Sequence, residues 1–143
     1  MSPEVDQMLR VSAAQLAGSV VPFLSASYAQ GHASLLSLLM VMSAQEYERG
    51  ADIRWHENAD MRLVFRELAP DVTDAALRAS LETAADTHDE SLTISSLNKT
   101  NAELRRLLIL LQTHVEDTEN RNAQDRIWDV LKRSAAHRLV RLA

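Results

Sequence analysis

Apolar residues recur along this chain at three- and four-residue steps, the spacing of one face of an α-helix, in long segments almost free of Gly and Pro. Ser2-Pro3-Glu4 reads as a helix start: a capping hydroxyl, Pro at the first helical position, and an acid near the positive end of the dipole. Val5, Met8, Leu9, Ser12, Leu16, Val20, Phe23 and Leu24 then mark a first helix running toward Ala29. Pro22 removes one backbone bond and should kink it, and Gly31 should close it. A second helix follows and reaches Ala69, because Pro70 disfavours helix in the residue before it. Its first turns are apolar nearly all round, so more than one neighbour should bury them. From Tyr47 the pattern narrows to Tyr47, Ala51, Arg54 or Trp55, Asn58, Met61 or Arg62, and Phe65. Gly50 falls mid-helix, at a cost of ~1 kcal/mol relative to Ala.

A third helix, capped by Asp71 or Thr73, meets no Gly or Pro as far as Thr118. As one rod it would span roughly 65 Å, long for a small domain. Residues 87–96 are rich in Ser, Thr and Asp, which compete with helical backbone bonds. The apolar stripe also changes face there: Leu77, Leu81, Ala84 and His88 lie on one line, Leu97, Asn101, Leu104, Leu108, Leu111 and Val115 on another. A bend near residues 86–92 is expected. Asp117 or Thr118 should cap a last helix carrying Ile127 or Trp128, Leu131, Ala135, Leu139 and Leu142 on one face. The predicted helices are 3–30, 33–69, 72–116 and 119–142. The expected fold is all-α, an antiparallel bundle of four helices with long second and third helices, in a single domain over residues 1–143. Trp55, Phe65, Leu104, Leu108, Leu111 and Trp128 should be buried, in the core or at a subunit contact.

Within this pattern one motif recurs. Glu57-Asn58-Ala59-Asp60-Met61-Arg62 is echoed by Thr100-Asn101-Ala102-Glu103-Leu104-Arg105, 43 residues later. The match extends over nine residues and is either a duplication or a coincidence of helical composition. In a straight hairpin turning at Pro70, Asn58 and Asn101 would sit roughly 27 Å apart along the axis and could not touch. An amide on a buried stripe needs partners, since leaving it unpaired costs ~1–3 kcal/mol. Asn58, Arg62, Asn101 and Arg105 are therefore the candidate site residues. They form either a register lock or, with Asn58 and Arg62 one turn apart, a site for a polar or anionic group. For both arginines the ordinary arrangement is a stem along the core with the head in solvent.

Composition narrows the chemistry. Hydrophobic residues make up 46% of the chain but aromatics only 4%, the profile of helices rather than sheet. Cys is absent, which removes disulfides, thiolate zinc sites and cysteine nucleophiles. The net charge of −5 argues against a general nucleic-acid binder. The longest apolar run, 33–44, is interrupted by Ser and is shorter than the ~20 residues that cross a bilayer. Val11–Leu24 is fairly apolar, but Glu4 and Asp6 stand where a signal peptide is basic, so a cytoplasmic protein is expected.

No residue three before any His is acidic, so the di-iron Glu-x-x-His pattern is missing, and no metal or cofactor is expected. His56 with Asp60 and His114 with Asp117 are isolated pairs. No phosphate loop or activated nucleophile motif occurs. Lys132, Arg133, Arg138 and Arg141 follow Asp129 without an intervening acid. They suit either an acidic partner or membrane surface, or, more simply, the negative end of a helix dipole.

The expected role is non-enzymatic: protein–protein association, through a homodimer built on helices two and three or through a protein partner. The long helices and Asn-rich late segment resemble flagellar export chaperones of similar size in pattern only, without a diagnostic motif, which implies an adaptor-like alternative. A metal- or small-ligand-binding helical-bundle enzyme is the alternative of a different class.

Overall fold

The computed structural model describes residues 4–139, in which every regular element is helical. Five α-helices are present among them: α1 (Val5–Gln15), α2 (Ser27–Leu68), α3 (Ala75–Ala85), α4 (Ile94–Asp117) and α5 (Arg121–His137). The chain divides into two compact units, one ending at Gly50 and one comprising Ala51–Leu139, so α2 contributes residues to both. The Ser2-Pro3 start, Arg141 and Leu142 lie outside the described residues.

In the first unit the kink expected at Pro22 is a full stop. A proline ring collides with the carbonyl four residues back, and α1 gives way to a π turn at Leu16–Val20 and then a 3-10 turn at Val21–Phe23. Leu24 is extended, and its carbonyl accepts from Gln30 Nε2 at 2.7 Å, which fixes the reversal into α2. The first helix therefore ends well before Ala29, and Gly31 lies inside α2 instead of closing its predecessor. The two helices meet through small residues. Ala13, Ala33 and Ala44 are buried, and Ser37 Oγ donates to the Ala13 carbonyl at 2.9 Å.

In the second unit the long third helix is two helices. Residues 86–93 are not helical, which places the break where the stripe changed face. Thr87 Oγ1 donates to the Ala84 carbonyl at 2.7 Å, diverting a helix-end acceptor to a side chain. Asp74, not Asp71 or Thr73, caps α3, accepting from the Ala76 and Leu77 amides at 2.9 and 3.0 Å. Those two amides hold its carboxyl below the usual range. Asn120, not Asp117 or Thr118, caps α5. Ahead of it α4 ends in a Schellman turn, with the Asn120 amide on the Val115 carbonyl and Glu119 at φ 54°.

Side-chain pairs give the helix directions. Arg62 and Arg66 of α2 reach Thr87 and the Ala85 carbonyl, so α3 runs back along α2. Arg54 meets Asn98, Asn58 meets Asn101, and Thr73 meets His114, so α4 runs with α2. Arg126, Arg133 and Ser134 of α5 meet Glu67, Asp60 and Glu57, so α5 runs against it. Phe65, Leu81, Leu111 and Ile127 are sealed in the core between these helices, with Leu104 and Leu108 nearly so. Trp55 and Trp128, expected to be buried in the core or at a subunit contact, lie outside the core and are about half exposed in the chain. Beside Trp128 it is Ile127 that fills the core, and beside Trp55 the half-buried Arg54 donates to Asn98 at the surface.

Candidate functional site

The four residues singled out by the repeat come together in one polar layer inside the second unit. Asn58 and Asn101, which a straight hairpin would keep apart, bond directly: Asn101 Nδ2 donates to Asn58 Oδ1 at 2.9 Å. The hairpin estimate fails because the break at 86–93 turns α4 back into the direction of α2. The two copies of the motif then lie side by side, and the sequence offset of 43 becomes a contact between equivalent residues.

Every polar atom of both amides is used. Asn58 Nδ2 donates to Asp89 Oδ1 at 2.9 Å and to the Leu97 carbonyl at 3.4 Å. Asn101 Nδ2 also donates to Glu57 Oε2 at 3.1 Å, and its oxygen accepts from Arg105 Nε at 2.7 Å. The arginines one turn above each amide take different partners. Arg62, with its side chain only 10% exposed, grips Asp89 with both ends of its guanidinium, at 3.0 and 3.1 Å, and donates to Thr87. Its head is thus inside, unlike the ordinary exposed arginine. Arg105 keeps more of its head in solvent and donates to Asn101, Glu57 and Ser134.

Glu57 is the centre of the layer and was not among the expected site residues. Its side chain is 2% exposed and accepts from Arg138 (2.5 and 2.7 Å), Ser134 (2.7 Å), Asn101 (3.1 Å) and Arg105 (3.3 Å). Burial by itself raises this carboxyl, but the bonds from Arg138 and Ser134 and the charges of Arg138 and Arg105 outweigh it and hold it at about 2. Asp89, Ser134 and Arg138 were missed too. The signal for Glu57 was its place beside Asn58 in the repeat; Asp89 sits in the irregular segment, where periodicity says nothing.

A carboxylate held that low is a poor base or acid near neutrality. The adjoining void between Glu57, Met61, Arg105, Leu108 and Ser134 is about 10 Å³, at the lower limit for one water. The layer is closed on itself, its amides and charged groups bonded to one another within the chain. A larger open groove, about 850 Å³, runs between α3 and α4 over Ala84, Leu104 and Leu107, with Thr83, Lys99 and Glu103 on its walls. The Ser80 hydroxyl there donates to the Ala76 carbonyl, not to the His88 that shares the groove.

The isolated His–acid pairs resolve differently from their spacing. His56 Nε2 lies 3.4 Å from Asp52, while Asp60 binds Arg133, and His114 Nε2 faces Thr73. Among the described residues no group of three His, Asp or Glu side chains converges to hold a metal ion, and no helix is long and apolar enough to cross a membrane. Arg126 and Arg133 of α5 and Arg138 just past its end join this segment to α2, through Glu67, Asp60 and Glu57, while Lys132 pairs with Asp129 within α5. No protein-family model, curated protein or solved structure matches this chain.

Proposed function

We propose that this is a non-enzymatic helical protein that works by protein–protein association, its own copy included among the partners. In this reading residues 51–139 form an antiparallel four-helix bundle serving as scaffold, supported by the alternating directions of α2, α3, α4 and α5. The cytoplasm is the proposed setting.

One observation carries the reading. In the first unit many large apolar side chains are exposed: Phe23 is 84% exposed and Tyr28 76%, while Met8, Val11, Leu35, Leu36 and Leu39 are about half exposed. Exposed apolar surface of this extent marks an association surface more often than a free monomer face. The polar layer supports the same reading by elimination, because its donors and acceptors are consumed within the chain. The homodimer loses one argument, since the paired amides need no second subunit, and stands on the apolar face alone.

The test is dye binding combined with sedimentation of the purified full chain. Association predicts either a species heavier than 16.0 kDa or a monomer that binds 1-anilinonaphthalene-8-sulfonate at its apolar face. A 16.0 kDa species that leaves the dye dark overturns the proposal.

A further inference from the structure

Among the described residues of the first unit the only fully buried apolar ones are alanines: Ala13, Ala33 and Ala44. Leu9, Leu16, Val21, Leu24, Met40 and Val41 are half-buried, and its other large apolar side chains are exposed. A two-helix unit whose only fully buried apolar side chains are methyl groups buries little apolar surface against the entropy of ordering it, and short helices in water depend on packing. It needs further cover.

The chemistry of that cover can be read from the chain. From Val11 to Gln45 there is no Asp, Glu, Lys or Arg. A charged partner, whether nucleic acid, an acidic lipid surface or a charged helix, would find nothing to pair with and would bury its own charges unpartnered, which is costly. A surface of the same uncharged kind carries no such penalty, and the chain supplies one with every copy of itself.

The exposed residues are also arranged for a helix. Tyr28, Leu35, Leu39 and Met42 follow one another at seven-, four- and three-residue steps along α2, one stripe of a helix face. Gly31 lies on the same stretch, and a Cβ there would meet nothing within 4 Å of its own chain. With Phe23 and Leu36 the open apolar area is on the order of 700 Å², taking 150–250 Å² for each aromatic. That exceeds a typical monomer's largest patch, ~300–600 Å², and approaches the ~800 Å² that each partner gives a stable complex.

We propose that a second copy of this chain covers the face formed by Phe23, Tyr28, Leu35, Leu39 and Met42, packing its own uncharged helix pair against it. The proposal rests on the association reading and names the partner and the surface.

The chain has no cysteine, so an introduced one is unique. Leu39→Cys in the full chain, mildly oxidised at micromolar concentration, should give a disulfide-linked species of twice 16.0 kDa. Ile109→Cys, on an exposed site of α4, should give little. In parallel, sedimentation equilibrium should show an oligomer whose dissociation constant rises at least ~100-fold in Leu35→Asp/Leu39→Asp, a loss of ~2.7 kcal/mol, and is unmoved by Leu110→Asp. A parent that sediments as a monomer yet binds the dye overturns the second copy while leaving association standing. An oligomer that cross-links at residue 109 and not at residue 39 overturns the surface. A monomer that binds no dye overturns both. Should the double Asp variant fail to fold, the cross-linking pair decides alone.

Discussion

Replacing Glu57 with Gln tests the polar layer where it is most concentrated. The carboxylate accepts bonds from four side chains, and Gln offers one oxygen and turns an NH₂ toward arginine donors. The carboxyl falls from an ordinary 4.5 to about 2 on folding, which corresponds to roughly 3 kcal/mol favouring the ionised form. Breaking one side of a buried pair costs ~3–5 kcal/mol. Arg105 and Arg138, at 41% and 47% side-chain exposure, recover some water when released, which favours the lower end. Glu57→Gln should therefore lose ~2–3 kcal/mol at pH 7, read by urea denaturation with far-UV circular dichroism. Because the folded pKa is depressed, this contribution is complete above about 4.5 and is lost as pH falls toward about 2. The parent should thus lose more stability than the variant between pH 5 and pH 3. A loss below half a kcal/mol at pH 7, with parallel pH profiles, would refute the role assigned to Glu57.

Other substitutions follow from the same packing. Leu108→Ala, in the sealed core, should cost ~2–5 kcal/mol, whereas Trp128→Ala, on an exposed site, should cost under ~0.5 kcal/mol. Asp89→Ala strands the Arg62 guanidinium with its side chain 10% exposed and should cost ~3–5 kcal/mol. Hydrogen exchange should then show 86–93 opening more readily. Glu119→Gly should raise the urea midpoint, since Glu119 holds a left-handed φ of 54° that costs a residue with a Cβ ~1–2 kcal/mol.

The helical period was legible because burial selects residues by face, and the break at 86–93 was legible because the selected face changed. What that break does to topology was not. A kink would have kept α4 running away from the Asn58 turn; a full reversal carries it back alongside α2. Only then can residues 43 apart pair. The choice between adjacent positions, Arg54 or Trp55 and Ile127 or Trp128, was also beyond the pattern, since neighbours on a helix lie about 100° apart and both border the stripe. The uncharged run from Val11 to Gln45 stood in the sequence throughout. Which of its apolar residues stay exposed was not legible, because the apolar positions there lie nearly all round the helix.

Whether the Asn pair is a lock can be decided by a double-mutant cycle. Asn58→Leu removes the acceptor of Asn101 Nδ2 and a donor to Asp89, so alone it should cost ~2 kcal/mol, against the mild or favourable effect expected of an isolated polar residue in a core. Asn101→Leu strands Arg105 Nε and removes one of the donors to Glu57, for a similar loss. The double variant loses the shared bond only once and leaves no orphaned amide, so the two costs should fall short of additive by ~1–2 kcal/mol. An apolar pair at these positions no longer distinguishes one alignment of α2 and α4 from an alignment shifted by a turn. The double variant should therefore keep its far-UV helix signal while its urea transition broadens. Strict additivity would mean that the amides act independently; an unbroadened transition with full coupling would mean that they stabilise the contact without setting its register.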